Sequence, residues 1–312
     1  MEKRSISEMN HIFGRNGVSR KMPRESCGFT YFPIEWIAKR LGVPNLASGG
    51  GKTNGGIMPE YEIYALKYAG PLTSSGAFLM WRKDWEKVVQ RNYYLWAIRG
   101  EGKTVIVDAG IPPDLAKERN LIGYVSPAEV LSRIGVKAEE VRHLILTHIH
   151  WDHSSGVGLF PNATLFVQEE EFNFAIKDPI ANRPVFSATA DPKSKAYIAS
   201  LEGTKRLALL KGDQEILPGI ECLLAPGHTI ALQAVAVKTS RGTAIIGSDC
   251  AHTFRNYQED WPSCLIVDLV GWVKSYDKLR KKASTPDLLF PGHDPLMSSN
   301  YPEVGKDVTR LA

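Results

Sequence analysis

Six consecutive residues constrain this 312-residue chain more than anything else in it: His148-Ile149-His150-Trp151-Asp152-His153, an H-x-H-x-D-H run. The chain holds 8 histidines, so by composition alone such a run arises in roughly 2 of 10,000 similar chains. A chance gathering of structural histidines is therefore a poor account of it. The run follows Leu144-Ile145-Leu146, which reads as a short buried strand. In an extended or turning segment after a strand, His148 and His150 project the same way and can chelate one metal ion. Asp152 and His153 fall beyond a bend and can reach a second. Imidazole with carboxylate suits Zn2+, and also Mn2+, Fe2+ or Co2+.

Three later segments put further donors just beyond strand-like runs. Pro226-Gly227-His228-Thr229 follows Ile220 to Leu224, Gly247-Ser248-Asp249 ends the run from Ala244, and Pro291-Gly292-His293-Asp294 follows Leu288 to Phe290. Small residues at each place let the backbone turn. Cys250, next to Asp249, reads as a buried structural thiol rather than a ligand.

The surrounding pattern is of strands in runs with helices between them. Tyr61 to Tyr68, Tyr93 to Ile98 and Thr104 to Val107 read as strands, the last two joined as a hairpin by Arg99-Gly100-Glu101-Gly102-Lys103. Ser126-Pro127-Ala128-Glu129 opens a helix with a capping box, and Gly135 stops it. Thr164 to Val167 and Leu232 to Val237 are further strands, and a helix spans roughly Asp268 to Ala283. This alternation suggests two packed sheets with helices outside. Residues 1–58 show no clean period and are expected to be an N-terminal extension, with Ser48 to Gly56 a flexible loop. Residues 59–312 would form the main domain, with an irregular stretch at 178–206 as a candidate lid.

Composition narrows the rest. Hydrophobic residues make up 43% and charged residues 23%, which excludes wholesale disorder. The net charge of +4 is small and spread out, and the basic run Lys278 to Lys282 reads as a solvated helix face. No nucleic-acid partner is expected. No apolar run is long enough to span a membrane, and no secretory signal is evident, so a cytoplasmic protein is expected. The 4 cysteines form no CxxC pair and fit reduced thiols.

The set His148, His150, Asp152, His153, His228, Asp249 and His293 resembles the metallo-β-lactamase superfamily over about residues 60 to 295. The resemblance implies an α+β fold, a four-layer αββα sandwich of two mixed sheets with a dinuclear metal site at their edge. It implies that His148, His150 and His228 hold one metal, that Asp152, His153 and His293 hold the other, and that Asp249 bridges them. Asp108, in Val107-Asp108-Ala109-Gly110, matches an early aspartate that supports the metal loop. The expected cofactors are two divalent ions, zinc first.

Within that superfamily the local texture is most similar to the N-acyl-homoserine lactone lactonases. Trp151, Pro226 to Thr229, and Ser248-Asp249-Cys250-Ala251-His252 carry that similarity. Those lactonases commonly have tyrosine three residues after the bridging aspartate; here it is His252. The implied activity is opening of a cyclic ester by a metal-bridging hydroxide, with Asp152, Asp249 and His252 as catalytic residues. His252 would act on the leaving group or the oxyanion. Another superfamily hydrolase, acting on an ester, thioester, amide or heterocyclic ring, is the alternative, and phosphodiester or nucleic-acid cleavage is a third reading. Trp151 would floor the substrate pocket and Phe186 would belong to the lid. The expected partner is a small-molecule substrate, with a homodimer left open.

Overall fold

The computed structural model describes residues 60–312. The readings made for residues 1–58, including the Ser48 to Gly56 loop, lie outside the described residues.

Among the described residues thirteen strands form two sheets. They are β1 (Glu62–Ser75), β2 (Val88–Gly100), β3 (Lys103–Val107), β4 (His143–Ile145), β5 (Thr164–Gln168), β6 (Leu207–Leu210), β7 (Gln214–Leu217), β8 (Ile220–Leu224), β9 (Gln233–Thr239), β10 (Gly242–Ser248), β11 (Leu289–Pro291), β12 (Glu303–Gly305) and β13 (Val308–Arg310). The first sheet runs β12-β13-β1-β2-β3-β4-β5-β6 and the second β11-β10-β9-β8-β7. Both are mixed. β1, β2 and β3 pair antiparallel, whereas β3 to β6 are parallel. β7 to β10 are antiparallel, and β11 joins β10 in parallel.

Side-chain alternation explains the layering. Along β2, Tyr94, Trp96 and Ile98 face the core between the sheets, with Ile220, Val235, Ile246 and Phe290. Leu95 and Ala97 face the opposite way, into a core shared with the helices over the first sheet. A strand buried on both faces must read as a continuous apolar run, as Tyr93 to Ile98 does. The outer face of the second sheet is covered by the helix Leu269–Lys282, whose Trp272, Tyr276 and Leu279 pack on Leu223, Ala234 and Ile245. The result is the expected four-layer αββα sandwich. Among the described residues no helix is long and apolar enough to cross a membrane.

Two local expectations change. In the helix Pro127–Ser132, Ser126 caps as expected, accepting from the Glu129 amide at 3.2 Å. The Glu129 carboxylate does not close the box; it turns to Arg133, one turn on, at 3.2 Å. The 178–206 stretch is also more regular than its sequence suggested. It contains a helix, Pro192–Ser200, capped by Asp191, and its Ile198 is fully buried in the helix-side core.

Candidate metal centre

The strand directions bring the donors together. β3 and β4 run parallel, and β8, β10 and β11 all point one way, so the segments leaving them gather at one edge of the sandwich. His148 and His150 lie on the turn after β4, and Asp152 and His153 lie on the short helix Trp151–Ser154 that follows. His228 leaves β8, Asp249 leaves β10 and His293 leaves β11. Two glycines make these turns possible. At Gly227, with φ 144°, a β-carbon would lie 2.3 Å from the Trp272 β-carbon. At Gly292 it would lie 2.3 Å from Asp249 Oδ1.

Two donor groups result. His148, His150 and His228 form one, with His228 Nε2 only 3.0 Å from His150 Nδ1. Asp152, His153 and His293 form the other, both imidazole Nε2 atoms lying 3.5 Å from Asp152 Oδ2. Asp249 lies between them. Its Oδ1 is 3.0 Å from His293 Nε2 and 3.4 Å from His153 Nε2, while its Oδ2 is 3.4 Å from His228 Nε2. All of these residues are buried except His150, which is half-buried.

The donor set fits cations. His148 Nε2, His153 Nε2 and Asp249 Oδ1 are buried without a hydrogen-bond partner, which is costly unless something else satisfies them. The opposite ring nitrogens are satisfied. His228 Nδ1 donates to the Leu265 carbonyl at 3.1 Å, His293 Nδ1 to the Asn92 carbonyl at 2.8 Å, and His153 Nδ1 to Asp108 Oδ2 at 2.7 Å. Such outer bonds fix the tautomer that leaves an inward lone pair.

Electrostatics agree. Burial lowers the pKa of His150 to about 4 and of His228 to about 3, so both are neutral, as ligands must be. At His153 burial acts the same way, but the carboxylates of Asp152, Asp249 and Asp108 win and hold the imidazole well above its usual range. Three buried carboxylates around the His153 ring concentrate negative charge that a cation would neutralise, with the ring then a neutral ligand.

Asp108 lies behind the ligands, fully buried, at the end of β3. Its Oδ1 accepts from the Thr147 amide at 2.8 Å, and the Thr147 hydroxyl lies 2.9 Å from both its oxygens. That hydroxyl also meets His148 Nδ1 and Ser248 Oγ, each at 3.0 Å.

His252 comes closer to the centre than expected. Its Nε2 lies 3.3 Å from Asp249 Oδ2, and His228, Asp249 and His252 form a further donor group. Cys250 is fully buried, with its thiol pKa pushed up by burial, and belongs to no donor group. Phe186 lines a cavity with His150, Phe174, Ile230 and Val267. Trp151 does not line that cavity; its ring packs against Tyr93 at 5.7 Å and under the Arg119 guanidinium at 4.1 Å.

One residue escaped the sequence reading altogether. Glu171 is 3% exposed. Its Oε1 accepts from the Ile149 amide at 3.1 Å, and its Oε2 accepts from the Thr229 hydroxyl at 2.8 Å and the Ala231 amide at 3.2 Å. It thereby ties the His148–His150 turn to the His228 turn. Three consecutive glutamates, Glu169 to Glu171, gave no sign of which one is buried.

The chain belongs to the metallo-beta-lactamase superfamily, whose family model matches residues 87–293. It is accordingly a metal-dependent hydrolase, and its two donor groups with Asp249 between them fit a dinuclear metal site. Its relatives include the N-acyl homoserine lactonase of Bacillus thuringiensis, 23% identical over 228 residues that cover 67% of this chain and 83% of that protein. The N-acyl homoserine lactonase AttM of Rhizobium johnstonii is 28% identical over 193 residues, 61% of this chain and 69% of that one. Among solved structures, a B. thuringiensis AiiA variant with N-decanoyl-L-homoserine bound at its active site superposes with a TM-score of 0.65 at 20% identity, covering 80% of this chain and 98% of that one. AidC, a dizinc quorum-quenching lactonase, gives 0.60 at 18% identity over 77% and 89%.

Proposed function

We propose that this protein opens cyclic esters, acyl-homoserine lactones first, and so acts in quorum quenching. The observation that carries the reading is Asp249, whose two oxygens face different donor groups. The named activity of the relatives supports the substrate class. In this reading His148, His150 and His228 would hold one divalent ion, zinc first, and Asp152, His153 and His293 the other, with Asp249 as the carboxylate shared between them. Two such cations supply an acidified water and Lewis-acid polarisation of a carbonyl oxygen.

The chain's own residues do the rest. His252 Nε2, on the His228 side of Asp249, donates a hydrogen bond to the oxygen on which charge develops. Asp152, with a side chain 10% exposed against 4% for Asp249, is the carboxylate better placed to carry a proton to the leaving alkoxide. The cavity beside His150, walled by Phe174, Phe186, Ile230 and Val267, takes the apolar part of the substrate. Phe186 and its neighbours in 178–206 act as the lid over that end.

The test is a hydrolysis screen of zinc-loaded protein against lactones, thioesters and phosphodiesters. Lactone opening should exceed the others by at least about tenfold in kcat/KM, since each tenfold step is only 1.36 kcal/mol. Preference for a thioester or a phosphodiester would overturn the lactone assignment.

A further inference from the structure

On the other side of the centre from the apolar cavity lies an arginine that no step above employs. Arg91 is on β2, one residue from Asn92, whose amide donates to the His293 carbonyl at 2.9 Å and whose carbonyl accepts from His293 Nδ1 at 2.8 Å. The strand is therefore laced directly to the His293 turn. The Arg91 guanidinium carbon lies 5.1 Å from the centre of the Tyr93 ring and 5.3 Å from that of Phe78. Each of these rings touches a site histidine. Tyr93 meets His293 edge-on at 5.0 Å, and Phe78 meets His252 edge-on at 6.4 Å.

Among the described residues this guanidinium has no ion pair and no side-chain hydrogen bond. Its Nε is buried without a partner. Several other arginines among the described residues are matched by carboxylates: Arg133 meets Glu129 and Asp307, Arg280 meets Asp260, and Arg310 meets Glu62.

Two aromatic faces hold the guanidinium still, which lowers the entropic cost of its binding a partner. A half-buried, unmatched cation beside a site built for cations is unfavourable by itself. An incoming anion removes that penalty, and the planar fork of an arginine matches a carboxylate with two parallel hydrogen bonds.

We propose that Arg91 is a specificity-determining residue that binds a carboxylate carried by the ester substrate, on the His293 side of the metal centre. The proposal rests on the cyclic-ester hydrolase reading and changes its first candidate: an acyl-homoserine lactone carries no carboxylate before its ring opens, so the substrate favoured here is a lactone with an apolar part toward His150 and a carboxylate toward Arg91.

The experiment compares two γ-butyrolactones, one bearing a ring carboxylate and one bearing the isosteric, neutral carboxamide. The zinc-loaded wild-type protein should prefer the carboxylate by at least about tenfold in kcat/KM, mostly through KM, and lose the preference as salt rises. In Arg91→Met, which keeps an unbranched apolar stem, the ratio should fall to near one. Arg91→Lys, which keeps the charge without the fork, should retain part of it. Equal use of both rings by the wild type, or an unchanged ratio in Arg91→Met, overturns the role of Arg91 and leaves the hydrolase reading standing. Failure of the protein, with two zinc equivalents bound, to open either ring overturns the lactone reading and this inference with it.

Discussion

Asp108 and Glu171 lie under opposite halves of the metal centre and brace them in different ways. Asp108 bonds a donor directly, through His153 Nδ1 at 2.7 Å, and also holds Thr147 and Ser248. Glu171 touches no donor; it holds the neighbours Ile149, Thr229 and Ala231. One carboxylate fixes the ring and tautomer of a ligand, and the other fixes the spacing of two turns. The half containing His153 should therefore respond to loss of its carboxylate through metal affinity. The half containing His150 and His228 should respond mainly through geometry.

Asp249 belongs to both halves, so removing its charge should erase the contrast. Asp249→Asn offers only one carbonyl oxygen to two donor groups and removes a buried negative charge. We expect kcat to fall by at least about 10²-fold while the fold persists. Elemental analysis of metal alongside kinetics checks this, and near-normal kcat at normal metal content would reject the bridging role.

His252 tests how far the His228 half extends. His252→Phe keeps ring bulk and removes the Nε2 that lies 3.3 Å from Asp249 Oδ2. Loss of one oxyanion donor typically costs about 10²–10³ in kcat, and we expect the lower figure, about 10², with two metal equivalents retained. Loss of one equivalent would instead make His252 a ligand through the group it forms with His228 and Asp249.

Asp108→Ala should lower metal affinity by about 10–100-fold. The loss should fall on one of the two equivalents, because Thr147 and Ser248 can still orient the His148 side whereas His153 loses its main partner. Competition with a chelator, read as two separate binding steps, distinguishes this from a uniform loss.

These contrasts also mark where the sequence was legible. The donors were readable because each follows a strand end and their spacing has no structural explanation. Asp108 was readable as the end of a strand from the residues alone, and as a support of the metal loop only through the family resemblance. Two packed sheets with helices outside were readable from strands in runs with helices between them, and the four-layer sandwich from the family resemblance; Tyr93 to Ile98 is the run buried on both faces. β12 and β13 were not readable: they are three residues each, β13 takes its place from pairing with β1, 246 positions away at Tyr64 and Arg310, and β12 pairs only with β13. Glu171 was hidden for a related reason. Its burial is decided by the turns that close over it from residues 149 and 229 to 231, not by its neighbours in Glu169 to Phe172.

Glu171→Gln should produce the smallest effect and the sharpest contrast with Asp108→Ala. The amide keeps one oxygen, which can still accept from the Ile149 N–H. Its nitrogen then faces the Thr229 hydroxyl and the Ala231 N–H, which donated to Glu171 Oε2 at 2.8 and 3.2 Å. The hydroxyl can rotate and accept from the amide, but the Ala231 N–H cannot, so one buried donor is left unsatisfied, at a cost of about 1–3 kcal/mol in stability. Because no donor loses its own partner, metal affinity should fall by less than about tenfold, below the Asp108→Ala loss. Replacing zinc by cobalt gives a further readout: a shifted visible spectrum for the His148–His150–His228 ion with an unchanged one for its neighbour. A larger loss of metal in Glu171→Gln than in Asp108→Ala would reverse the assignment of which brace acts through affinity and which through geometry.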